Sequence, residues 1–156
     1  MKKQFGTEWI SENSLIITRL KGEVDETDVK EWNQSLQETF AKLPNHSKFK
    51  ILIDLYGFQA KNLEVHKQYR EIVPLTLARF GWKVGYVDMF ERKKDLVLTT
   101  DRGIQCVAAV HVHQDETKIN KYEELYSREN EHFWTDLEKA EEWIRDYQKG
   151  LTLVSN

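Results

Sequence analysis

The chain has 156 residues, of which 31% are charged and 40% apolar, with a formal net charge of −3. That length suits one domain with its own core, and that composition excludes a disordered chain. The mildly acidic balance argues against a nucleic-acid footprint.

The single cysteine, Cys106, leaves no intrachain disulfide and fits a reducing cytosol. Met1-Lys2-Lys3-Gln4 has no apolar segment behind it, so the start does not read as a secretory leader. No apolar run approaches the roughly 20 residues of a membrane helix. Phosphate-binding glycine loops, paired-cysteine motifs and HExxH are all missing.

Phe5 to Ile10 and Leu15 to Lys21 read as two strands joined through Ser11-Glu12-Asn13-Ser14, a hairpin signal. On the second strand Leu15, Ile17 and Arg19 share one face, and Ile16, Thr18 and Leu20 the other. Apolar residues on both faces place it away from an open edge. Asp25 reads as an N-cap, and Val29, Trp32, Leu36, Phe40 and Leu43 follow at helical spacing. Pro44-Asn45 ends that helix.

Lys50-Ile51-Leu52-Ile53-Asp54-Leu55 is a near-continuous apolar run bracketed by turn residues, which suits a strand covered on both faces. Tyr56 to Lys61 reads as a loop. Asn62 then caps a second helix with the stripe Val65, Tyr69, Ile72, Val73, Thr76, Leu77 and Phe80. Pro74 predicts a kink or break there, and Gly81 closes the helix.

Val84 to Asp88 reads as a strand; Phe90 to Arg102 has a charged start that favours a helix ended by Gly103, against strand-like β-branching over Leu96-Val97-Leu98-Thr99-Thr100; and Ile104 to His113 reads as a strand. A helix over Thr117 to Arg128 and a short strand over Glu131 to Trp134 follow. Thr135 or Asp136 caps a last helix with the stripe Leu137, Ala140, Trp143, Ile144 and Tyr147. The expectation is a single α/β domain over 1–149, with a mixed, mostly parallel sheet, an N-terminal hairpin and packed helices; 150–156 form a loosely held tail.

Three stretches carry a family resemblance. They are Leu20-Lys21-Gly22-Glu23-Val24-Asp25 leading into the first helix, the central Ile51–Leu55 run, and Glu131 to Ile144, a strand running into an amphipathic helix. With the element order, they make the chain similar to the SpoIIAA-like branch of the STAS domain family. The resemblance implies a cytoplasmic, non-enzymatic binding or regulatory module. Anti-anti-sigma members carry a phosphorylated serine or threonine after the central strand. Here that loop is Tyr56-Gly57-Phe58-Gln59-Ala60-Lys61-Asn62, with no Ser or Thr, so the phospho-switch is not expected at this position. Val84 to Gly103 departs from the family pattern as an extra strand–helix unit.

His111-Val112-His113-Gln114-Asp115 is the sharpest local feature. Two imidazoles on one strand face can bind one metal, with Asp115 reaching back from the turn. The plainer alternative is that one histidine hydrogen-bonds in the sheet and the other lies at the surface. Asp54 and Asp88 end predicted parallel strands, where open α/β sheets place ligands, and could converge with His113; otherwise they cap turns. Cys106 and His111 differ by an odd number of residues and so fall on opposite strand faces, which favours a buried inert thiol.

Glu91-Arg92-Lys93-Lys94, Lys48 and Lys50 read as a solvated positive run that could meet a phosphate. Tyr69, Phe80, Trp82 and Tyr86 form an aromatic group that would line a ligand pocket or an interface. The expected partner is a protein or a small apolar or anionic ligand, with no cofactor, no nucleic acid and no membrane span. One rival is a small metal-dependent hydrolase using Asp54, Asp88, His111 and His113. Another reading is a homodimer built on the exposed part of the kinked second helix.

Overall fold

In a computed structural model that describes residues 2–87 and 96–151, the two N-terminal runs pair as an antiparallel hairpin. Strand β1 covers Gln4–Ile10 and β2 covers Leu15–Val24. A single 3-10 turn, Ser11–Asn13, joins them. The rest of the sheet is parallel. Its order is β1-β2-β3-β5-β6, with β3 over Lys48–Leu55, β5 over Gln105–His113 and β6 over Glu131–Trp134. The chain is thus a single-domain α/β fold with a mixed, mostly parallel sheet.

Strand β2 is longer than the stretch β3 can pair. Its parallel register with β3 stops at Arg19↔Asp54, and Gly22 to Val24 pair instead with a short β4, Phe58–Ala60. That segment reads as loop from sequence. Three residues carry too little periodicity to announce a strand, and the free edge of β2 supplies the reason it forms.

Helix α1, Glu26–Ala41, starts at a full capping box. The Asp25 carboxylate accepts from Asp28 N at 2.9 Å, and the Asp28 carboxylate accepts from Asp25 N at 3.0 Å. Its stripe, Val29, Trp32, Leu36 and Phe40, is wholly buried against the sheet, with Leu43 just beyond. The second helical stripe is split. Helix α2 covers Leu63–Arg70, α3 covers Ile72–Ala78, and the break falls at Glu71, upstream of Pro74. Pro74 has no N–H to give the Arg70 carbonyl and its ring crowds that carbonyl. The chain therefore restarts so that proline lies in the first turn of a new helix.

Helices α1 to α3 bury their apolar side on one face of the sheet, around Phe40, Phe49 and Phe80. The stacked Phe40–Phe80 pair lies 4.5 Å between centroids. On the other face, α5, Leu137–Asp146, packs Ala140 and Ile144 against Leu15, Ile17, Leu52 and Val110. Helix α4, Glu116–Tyr126, lies beside β6. Asp136, not Thr135, caps α5, accepting from Lys139 N at 3.1 Å.

Three expectations need correction. Val84 to Val87 form turns rather than a strand, and 96–99 are not helical; Thr100 instead makes an antiparallel bridge to Phe80. The remainder of that expected strand–helix unit, with Asp88 and the Glu91–Lys94 run, lies outside the described residues, as does 152–156 of the tail.

Lys50 is no surface cation. It is fully buried, and its Nζ donates to the Arg145 and Tyr147 carbonyls at 2.8 Å each, satisfying the end of α5.

Finally, the register slips between Phe49↔Cys106 and Lys50↔Ala108, so Val107 is an extra residue in β5. The bulge puts Cys106 on the same face as Ala109, the face that carries His111, so the parity argument separating Cys106 from His111 fails. The thiol is nonetheless buried and pushed well above its usual pKa by that burial.

Candidate functional site

The parallel strands β3, β5 and β6 end together, and the helices around those ends leave a cavity of about 310 Å³. Register determines what faces it. Leu55 pairs with His113, Ile53 with His111, and His111 with Phe133, so these side chains lie across one face. From α2 come His66, Tyr69 and Arg70; from α4, Lys118, Ile119 and Tyr122; from the turn after α3, Tyr86.

Asp54 does not belong to this site. It pairs in register with Val112 and falls on the opposite face, the α5 side. There its Oδ2 receives Arg19 at 2.7 Å and Lys21 at 2.9 Å, while Oδ1 accepts from Tyr56 N at 3.1 Å. It is a fully buried carboxylate matched by two cations. The expected convergence of Asp54 with His113 is therefore excluded by strand parity. Of the singled-out aromatic group, Tyr69 and Tyr86 line the cavity, whereas Phe80 and Trp82 are core.

The floor is organised by Glu131, which sequence reasoning passed over as one more strand residue. It is fully buried. Its Oε2 meets His111 Nε2 at 2.8 Å; its Oε1 accepts from Gly85 N at 2.9 Å and Arg128 Nε at 3.0 Å. Burial alone would raise this carboxyl, but the His111 hydrogen bond and charge, with those of Arg128, outweigh it and hold the pKa below the usual value. With Oε2 held as an ionised acceptor, His111 Nε2 donates to it. The imidazole lies flat on Phe133, centroids 4.5 Å apart and planes 10° apart, and edge-on to Tyr86 at 5.6 Å.

His111 and His113 do share a face, as the spacing predicts. They do not form a triad with Asp115. His113 Nδ1 accepts from Asp115 N at 3.0 Å, and the Asp115 carboxylate caps α4 by accepting from Lys118 N at 3.1 Å. Among the described residues no three His, Cys, Asp or Glu side chains stand together as a metal would require.

Burial, reinforced by Lys118 and His66 against the opposing pull of Asp115, lowers His113 to about 4. It is neutral near pH 7 and, with Nδ1 accepting, carries its proton on Nε2. His66 is lowered too, by burial and then by Lys118 and Arg70. Burial raises Tyr69, Tyr86 and Tyr122, which remain neutral phenols.

The arrangement is an aromatic-walled pocket with imidazole and phenol groups inside and two basic side chains, Arg70 and Lys118, on its lining. Among the described residues no helix is long and apolar enough to cross a membrane. No protein-family model matches the chain, and neither a curated protein nor a solved structure does.

Proposed function

We propose that this chain is a binding or regulatory module of the SpoIIAA-like STAS kind, cytoplasmic and without turnover, that takes a small ligand in the pocket at the ends of β3, β5 and β6. The observation that carries the reading is that cavity of about 310 Å³, with Tyr69, Tyr86 and His113 gathered on its wall. Its size falls within the range of small-molecule sites, and its aromatic lining with a few polar groups matches their usual chemistry. The position, outside the carboxyl ends of parallel strands, is where open α/β sheets hold ligands. Regulation by phosphorylation at the loop after β3 is not part of the proposal, because Tyr56 to Asn62 contain no Ser or Thr.

The test is native mass spectrometry of freshly purified protein, followed by ligand-observed NMR with a fragment set. Binding is expected in the parent chain and lost in Ile119→Trp, which fills the pocket, with the far-ultraviolet spectrum showing the variant folded. A bare chain that takes up no fragment, or fragments that bind Ile119→Trp equally well, would overturn it.

A further inference from the structure

Arg70 and Lys118 line the pocket without an ion pair among the described residues. Both stand near enough to His66 to depress it, so their fields meet in the same space. Two nearby acids, Glu131 and Asp115, are already engaged. Glu131 is held by His111, Arg128 and the Gly85 amide, and Asp115 caps α4.

Arg70 carries the second observation. Its Nε is shielded from solvent and has no hydrogen-bond partner among the described residues. A buried donor left unmet costs free energy, and native structures leave few of them unmet. An acceptor arriving from outside the chain removes that cost.

The walls describe the other end of the ligand. Phe133 lies 5.9 Å from Tyr86 and 5.7 Å from Tyr122, each pair near edge-to-face. Such rings favour a flat apolar body, which gains stacking or edge contact.

We infer that the pocket takes an aromatic monocarboxylate, its ring among Tyr69, Tyr86 and Phe133 and its carboxylate at Arg70 and Lys118. This rests on the pocket being a ligand site and adds the ligand's class. The guanidinium fork matches a carboxylate's two oxygens. Arg70 and Lys118 on the lining are enough for a monoanion and few for a phosphate dianion.

Isothermal titration of the full chain with three probes of one shape tests it: 2-naphthoate, 2-naphthamide and 2-naphthylmethylammonium. Naphthoate is expected to bind roughly tenfold or more tighter than the amide, a typical worth for hydrogen bonds to a charged group. Arg70→Met, which keeps the apolar stem, is expected to remove most of that difference. Equal affinity for naphthoate and amide, or tighter binding of the ammonium, would sink the carboxylate assignment and leave the pocket standing as a ligand site. Failure of all three probes, with fragments still binding, would overturn the aromatic class. Failure of every compound would remove the site itself.

Discussion

Glu131 is a buried carboxylate that stays ionised because its neighbours replace the water it lost. One oxygen holds His111 and the other holds the Gly85 amide and Arg128, so β5, β6 and the turn after α3 are tied at one residue. The sequence signal for it was faint: an acid opening a short strand, three residues after an arginine. His111 and His113 were easier to read, since period-two alternation places them on one face whatever the register. What the histidines meet was not legible, because Glu131 lies on another strand. His113 makes a prediction at this scale. An unperturbed histidine titrates near 6.5, and His113 in the fold near 4. Above pH 6.5 both states are neutral and pH has no effect through this group. As pH falls from 6.5 toward 4 the unfolded chain takes the proton first, so stability is lost across that window. His66 and Glu131, also lowered, act in the same direction. Urea midpoints measured from pH 7 to pH 4.5 should fall in the parent and fall less steeply in His113→Asn; parallel curves would refute the assignment.

At the scale of elements, caps and stripes were the readable features because they are local. Asp25, Asn62 and the stripe of α1 sit where spacing predicts. Asp25→Ala removes the acceptor for Asp28 N and breaks the capping box. It should cost about 1 kcal/mol of stability in urea denaturation, with the far-ultraviolet spectrum unchanged; no loss would mean the box contributes nothing net. Features that depend on a partner strand were not readable. The Val107 bulge exists only relative to β3, and β4 only relative to the end of β2. The break at Glu71 was half legible. Pro74 announces it, but whether a helix kinks or restarts depends on how α2 and α3 each bury their apolar side.

For the whole molecule, the parallel centre of the sheet is the least accessible part. Strand β3 lies between β2 and β5, and Phe49 to Leu55 are buried without interruption. Strand β1 is at the edge and mostly half-exposed. Native-state hydrogen exchange should show the amides of Ile51 to Ile53 opening only with global unfolding, and the outward amides of β1 exchanging far sooner. Equal protection in the two strands would contradict this placement of the core. The pocket also belongs to this scale. Its lining comes from β3, α2, α4, β5, β6 and the turn after α3, spread along the chain from Leu55 to Phe133.

The sequence by itself determined the α/β class, the starts of α1 and α2, the buried central strand and the shared face of the two histidines. Each follows from side-chain periodicity or a capping bond that acts within a few residues. Only the tertiary structure decided that Asp54 faces α5, that Cys106 joins the His111 face, that Lys50 ends a helix, and that Arg70 and Lys118 meet one aromatic pocket. Those outcomes turn on register and on the order of strands, and a register is a relation between two segments that neither segment encodes alone.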